Sequence, residues 1–268
     1  MAGAMALRPM GLLEIVDQTF RLYRRNFWLF LAIAAVVYLP LGAVQGVPVL
    51  GPLAALIFAP LYMVAAAALT KAISDRYLGQ STSVGEAYRH IGRRFWGLLF
   101  TTILAYLFMV SGIVLLGVGL IVFAFWIAFV PQVFVIEGKQ YFPAIWRSRF
   151  LIGKGTWGEV FVLGMIVGAL TLIIQGALGA AVGVSIMSRS AETMPMHAAI
   201  LMGLMNALVV PIGQAATVLL YYDSRMRKEG FDLEMLAKEM GVAMAAGPAA
   251  PPDQAGSGGA SAEAGQQM

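Results

Sequence analysis

The chain has 268 residues, of which 60% are hydrophobic and only 12% charged, with a mean hydropathy of +0.80. That balance lies outside the range of soluble globular domains and makes lipid the solvent for most of the chain. The formal net charge is +4 and cysteine is absent, which excludes disulfides, thiolate metal sites and a cysteine nucleophile.

The polar, amphipathic run that opens the chain carries Leu13, Val16, Phe20, Tyr23 and Phe27 on one helical face. Glu14, Asp17, Arg21 and Arg25 take the other, with Asp17 and Arg21 spaced as an i, i+4 pair. Because these residues precede the first apolar run, and because that run is longer than a signal core, the run is expected to remain as a spanning helix. Domain boundaries follow: a cytoplasmic segment 1–26, a membrane domain 27–241 and a tail 242–268.

Three long blocks, 27–70, 95–136 and 160–222, are uncharged apart from one polar loop, Ser188 to His197, in the third. A crossing needs about 20 helical residues, so each block predicts two spans. Turns are expected at Gln45 to Pro52, at Gly117 to Gly119 and at the Ser188 loop. The fold class is therefore all-α, six transmembrane helices arranged as three hairpins, because the runs lack the alternation of barrel strands.

Hairpins return the chain to the side it left. All of the 18 Lys and Arg residues except Arg189 lie in the four segments that this topology places on one face. The positive-inside rule makes that face cytoplasmic, with both termini inside. Between the blocks, Ser83-Val84-Gly85-Glu86 has the form of a capping box, followed by an apolar stripe of Val84, Ala87, Tyr88, Ile91 and Phe95. Further on, Phe142, Trp146 and Phe150 recur every four residues, with Pro143 suited to a first turn and Gly153 to a stop. Such helices lie in the interface plane. After Gly230 a short helix is expected from Asp232, and 242–268 has no apolar face to bury and reads as disordered.

The units resemble one another. Arg24-Arg25-Asn26-Phe27-Trp28 is followed by Arg93-Arg94-Phe95-Trp96 and, more loosely, by Lys154-Gly155-Thr156-Trp157, while Pro60, Pro131 and Pro211 recur in the even spans. The order predicts a threefold repeat with a kink at each proline, since a proline frees the carbonyl four residues back.

The opening Arg8-Pro9, Gly11-Leu12-Leu13-Glu14-Ile15-Val16-Asp17 and Phe20-Arg21-Leu22-Tyr23-Arg24-Arg25-Asn26-Phe27 resembles bacterial multi-pass proteins grouped with the glycerophosphoryl diester phosphodiesterase membrane domain. Tyr221-Tyr222-Asp223-Ser224-Arg225 with Arg227-Lys228-Glu229-Gly230-Phe231-Asp232-Leu233-Glu234 is similar to their closing motif. The resemblance implies a fold and a bacterial inner-membrane location more than an activity. The phosphodiesterase of the name is a separate soluble domain, and this chain has no segment of that kind.

His90 and His197 are the two histidines, and the topology puts them on opposite faces, so no cofactor or histidine metal site is expected. Gln132, Gln175, Asn206 and Gln214 are polar residues within the spans, and Gln132 and Gln214 beside two of the prolines form a candidate buried polar centre. They fit interhelical hydrogen bonding or a substrate site. Gly164 with Gly168 and Gly179 with Gly183 read as close helix packing, either within the chain or between copies of it. Arg21, Arg24, Arg25, Arg89, Arg93 and Arg94 are candidate contacts for anionic lipid headgroups. A protein partner in the membrane or cytoplasm is compatible with this belt, whereas nucleic acid is not expected. The leading expectation is a non-catalytic inner-membrane scaffold or accessory protein. A facilitative carrier for a lipid or apolar solute is the alternative, and an integral membrane enzyme the third. A water-accessible cavity around Gln132 and Gln214 favours the carrier, a filled interior the scaffold.

Overall fold

The computed structural model describes residues 10–45, 51–115, 118–153, 157–189 and 196–230. The chain divides into a compact unit, Met1–Glu229, and the segment Gly230–Met268, of which Gly230 alone is described. The expected turns at 46–50 and Gly117, the linker 154–156, loop residues 190–195, the helix from Asp232 and the tail 242–268 all lie outside the described residues.

The described residues are helical, with no strand among them. An amphipathic α1 (Leu12–Arg25) leads into α2 (Phe27–Gln45) and α3 (Gly51–Tyr77); α4 (Val84–Gly92) leads into α5 (Phe95–Ser111), the 3-10 turn Gly112–Leu115 and α6 (Val118–Ile127). A short turn α7 (Val130–Gln132) and a π turn (Val133–Glu137) connect to α8 (Tyr141–Ile152), then α9 (Trp157–Arg189) and α10 (Met196–Glu229). Four stretches are long and apolar enough to cross a bilayer: Phe27–Val44, Phe95–Val114, Gly119–Glu137 and Ala198–Glu229. A fifth is added if α8 and the first part of α9, which meet at 99°, count as one broken span.

Helix α10 is the central post, packed most extensively on α2 and also on α1, α3, α8 and α9. Its close approach to α2 depends on two glycines. A Cβ on Gly203 would come within 2.6 Å of the Tyr38 carbonyl, and one on Gly42 within 2.8 Å of the Ala199 carbonyl. Removing both side chains lets the backbones touch, as small residues do in membrane interfaces. Of the glycines read from sequence as packing points, Gly183 lies outside the residues whose side-chain surroundings are described, and the other three meet no other described helix of this chain. A Cβ on Gly164, Gly168 or Gly179 meets nothing within 4 Å among the described residues, and α9 leaves Leu172 and Ile173 exposed.

The short helices keep their expected positions, but two turn a different face inward. In α1 the buried residues are Ile15, Thr19, Leu22 and Tyr23, while Leu13 is 82% exposed. In α8 the buried set is Ala144, Ile145, Ser148, Leu151 and Ile152, and Phe142, Trp146 and Phe150 point outward. An interfacial helix has two apolar neighbours, protein and acyl chains, so an apolar stripe can face either one. Helix α4 begins as expected: Ser83 Oγ accepts from the Glu86 N–H at 3.3 Å, and the Ser83 N–H donates to Glu86 at 2.9 Å. Ala87 and Ile91 are buried, and the Tyr88 hydroxyl donates to the Ile33 carbonyl of α2 at 2.6 Å.

Two corners share one local geometry. Asn26 caps α2 at φ −119°, ψ 25°, and Arg94 caps α5 at φ −119°, ψ 18°. At each, an edge-to-face Phe–Trp pair follows, with centroids 5.2 Å apart for Phe27 and Trp28 and 5.4 Å for Phe95 and Trp96.

Candidate functional site: a polar lock at the end of α10

Successive residues of a helix point about 100° apart, so three in a row reach three different neighbours. Tyr221, Tyr222 and Asp223 do this in the last turns of α10, and all three side chains are fully buried. The Tyr221 hydroxyl donates to Glu137 Oε1 at 2.7 Å, reaching the π turn. The Tyr222 hydroxyl lies 2.7 Å from Ser74 Oγ on α3, and its ring packs on Tyr77 with centroids 5.1 Å apart. Asp223 Oδ1 accepts from the Met10 N–H at 2.7 Å, fastening the chain just ahead of α1.

Two ion clusters surround these residues. In the first, Arg147 of α8 donates from Nε to both oxygens of Glu137 at 2.8 Å and from its terminal nitrogens to Glu229, with the Nη2 bond at 2.7 Å. Lys139 Nζ is 3.0 Å from Glu137, and Arg225 Nε is 3.2 Å from Glu229. Three cations thus face two carboxylates whose side chains are 10% and 22% exposed. In the second, Arg227 joins Asp223 at 2.8 Å and Glu159 of α9 at 3.0 Å, and donates to the Met10 carbonyl at 2.6 Å. The arrangement draws α1, α3, the π turn, α8 and α9 onto α10, with nearly every charge compensated. Compensation of this kind is what low-dielectric surroundings require of a buried ion.

The span carrying Pro131 shows how a break is satisfied. After α6 ends, the Ala128 N–H bonds to the Phe125 carbonyl at 3.1 Å and the Phe129 N–H to Ser148 Oγ of α8 at 3.0 Å. The backbone then passes through α7 and widens into the π turn, and Gly138 at φ +71° stops it. A buried serine supplies the acceptor where lipid offers none. Pro60 and Pro211 lie inside α3 and α10, which run through them as single helices. The Tyr23 hydroxyl donates to the Leu208 carbonyl at 2.9 Å, one residue beyond the carbonyl that Pro211 leaves free.

The two glutamines have different neighbours. Gln132 is 2% exposed, in a stretch where Phe129 and Val133 are both at 0%, and its Oε1 has no hydrogen-bond partner among the described residues. Gln214 is half-buried and accepts from Thr70 Oγ1 at 3.4 Å. Neither lines the cavities described below. Asn206 donates to its own helix at Met202, and the side chains of Gln175 and His197 lie outside the described set. His90 is half-buried, and burial, with the Lys71 and Arg94 charges adding to it, holds its imidazole below the ordinary value.

Of the six arginines, Arg21 pairs with Asp17 at 2.6 Å in the open. Arg24, Arg25, Arg89, Arg93 and Arg94 are exposed. Arg24 and Arg25, joined by Arg76 of α3, line a cavity of about 500 Å³ at the α1–α2 corner. An apolar groove of about 380 Å³ runs between Phe125 and the Gly164–Gly168 face of α9. Arg76, Glu137, Arg147 and Glu159 were not among the residues singled out from sequence, and Tyr221, Tyr222, Asp223, Arg225, Arg227 and Glu229 were noted only as a closing motif, without a role. Their signal was there: Glu137, Glu159 and Asp223 are acids at the margins of apolar runs on the basic face, and Asp223–Arg227 and Arg225–Glu229 are i, i+4 pairs.

The apolar helices and the polar lock at their charged end make this a helical membrane protein. No family model, curated protein or solved structure matches the chain.

Proposed function

We propose that the chain is a non-catalytic, multi-pass scaffold or accessory protein of a bacterial inner membrane, with both termini cytoplasmic and a basic cytoplasmic belt. The observation that carries this reading is the burial of Gln132. A transport path needs water or solute to reach a polar group inside the bundle, whereas Gln132 is 2% exposed, and Phe129, Val133 and Phe134 on the same turns are each at most 1% exposed. The charged residues at the end of α10 pair with one another and with charges on the π turn, α8 and α9, as suits a frame that holds its helices in place.

Six spans in three hairpins extend the four or five counted above. Helices α3 and α9 have 27 and 33 residues, about 40 and 50 Å at 1.5 Å per residue, against a hydrocarbon core of about 30 Å. The matched corners at Asn26 and Arg94 support the repeat. The kinship with the glycerophosphoryl diester phosphodiesterase membrane domain is also proposed. It is supported by the burial and cross-linking role of Tyr221, Tyr222 and Asp223, the heart of the closing motif that resembles that group.

Reconstitution tests the scaffold against the carrier. Purified protein in liposomes is expected to leave the transbilayer exchange of fluorescent phospholipid and the efflux of small apolar solutes at the protein-free rate, while cross-linking in native membranes traps a recurrent partner in stoichiometric yield. Saturable flux that depends on the protein overturns the scaffold reading in favour of the carrier.

A further inference from the structure

The corner where α1 turns into α2 gathers cationic donors that the lock does not use. Arg24 and Arg25 end α1, and Arg76 arrives from the last turn of α3. None of the three has a carboxylate partner among the described residues. The nearest acids in sequence are already engaged: Asp17 by Arg21 at 2.6 Å and Asp75 by Lys71. Arg76 is held in place by an Nη2 bond to the Thr82 carbonyl at 3.1 Å, and its Nε is buried without an acceptor.

The backbone adds donors at the same spot. Phe30 is the residue whose N–H bonds back to the Asn26 carbonyl, at 3.1 Å, so the N–H groups of Phe27, Trp28 and Leu29 are the unsatisfied first amides of α2. Those residues line the same cavity of about 500 Å³ as the three arginines. Guanidinium forks and helix-start amides are both suited to a tetrahedral oxyanion, and together they exceed what a chloride or a single carboxylate would require. Trp28, 78% exposed at the rim, belongs at headgroup depth, where indoles collect in membranes.

We propose that this cavity binds the phosphate of an anionic membrane phospholipid, held by Arg24, Arg25, Arg76 and the first amides of α2, with the acyl chains outside along α2. The proposal rests on the membrane reading given above but not on the scaffold reading, since a carrier could hold the same lipid. The cavity accommodates a phosphate and its glycerol linkage, and the open side lets the tails leave.

The test uses the full-length protein in neutral detergent, with thermal stability read against added phosphatidylglycerol, phosphatidylcholine and inorganic phosphate. Phosphatidylglycerol is expected to raise the midpoint saturably, phosphatidylcholine and millimolar inorganic phosphate to do little. Arg76→Gln, and separately Arg24→Gln with Arg25→Gln, should weaken the apparent phosphatidylglycerol affinity by about tenfold or more, the usual scale for losing a hydrogen bond to a charged group. Arg149→Gln removes one exposed positive charge that does not line the cavity and should leave the affinity within about twofold. Equal losses in all three variants would replace the site with diffuse attraction by the belt. Saturation by inorganic phosphate would reassign the cavity to a soluble phosphate, and equal stabilisation by phosphatidylcholine would remove the anion site. If Arg76→Gln does not fold, the exposed pair Arg24 and Arg25 decides the outcome. Liposome flux, measured on the same variants, stays at the protein-free rate if only the lipid site is wrong.

Discussion

Arg147 is the residue on which the first ion cluster depends, and its removal gives the sharpest energetic test. Replacing it with Met keeps the bulk of the stem and leaves Glu137 and Glu229, with side chains 10% and 22% exposed, short of their main partner. Lys139 and Arg225 remain near them, at 3.0 Å from Glu137 and 3.2 Å from Glu229. Breaking a buried pair costs about 3–5 kcal/mol and an exposed pair 0–1 kcal/mol. A site one-tenth to one-fifth exposed with two residual cations falls between them, at about 2–3 kcal/mol. For a chain of this size that is roughly a 5–10 °C fall in the unfolding midpoint, readable by tryptophan fluorescence in detergent. In a Glu229→Gln background the same Arg147→Met change should cost clearly less, because the arginine has already lost one of its two carboxylates and the coupling between them is gone. A single variant within about 0.5 kcal/mol of the parent, or an equal loss in both backgrounds, would refute the lock as a stabilising element.

Further outcomes follow from other elements. Ser83→Ala removes the α4 cap and should cost about 1 kcal/mol, whereas Ser81→Ala, at an exposed position, should cost next to nothing; equal effects would deny the capping box its role. Gly203→Ala places a Cβ 2.6 Å from the Tyr38 carbonyl and should destabilise by about 1–3 kcal/mol, while Gly164→Ala, with open space around it, should be neutral; the reverse order in a thermal scan would contradict the α2–α10 crossing. His90 titrates below its ordinary value of 6.5 in the folded chain, chiefly through burial. The unfolded chain therefore binds the proton more readily, so this contribution is complete above pH 6.5 and is lost as the pH falls below it. The midpoint of His90→Gln should decline less than that of the parent between pH 7.5 and 5.5, and parallel declines would show that His90 does not sense the change.

Much of the architecture was legible because lipid allows few solutions. The uncharged blocks, the capping box at Ser83 and the stops at Gly153 and Gly230 needed only length, hydropathy and turn chemistry. The inward faces of α1 and α8 were not legible. Periodicity finds an apolar stripe, but where both protein and acyl chains are apolar it does not say which one the stripe meets, and Leu13 and Trp146 went to the outside. The glycine pairs on α9 show a related limit. Spacing identifies a smooth surface without its partner, and the true close approach, Gly42 to Gly203, joins residues far apart in sequence. The candidate site was half visible. Arg24 and Arg25 stood out as a basic pair, but Arg76 enters only through the fold, from a helix with no sequence tie to that corner. Likewise, Asp223 and Glu137 looked like the ends of spans, and only the three-dimensional arrangement makes them the points where Met10, Arg227, Arg147 and Tyr221 converge.

The central claim, a packed interior with no solute path, is tested most directly at Gln132. The chain has no native cysteine, so Gln132→Cys provides a single reporter in an otherwise silent background, with Ser81→Cys as the exposed control. In proteoliposomes a small, membrane-permeant, water-reacting methanethiosulfonate should modify Cys at position 81 within seconds and leave Cys at position 132 unmodified over an hour, because a thiol at a position only 2% exposed meets little water in which to ionise. Modification at position 132 at a rate approaching that of the control would mean that water reaches the interior of the bundle, and it would contradict the scaffold.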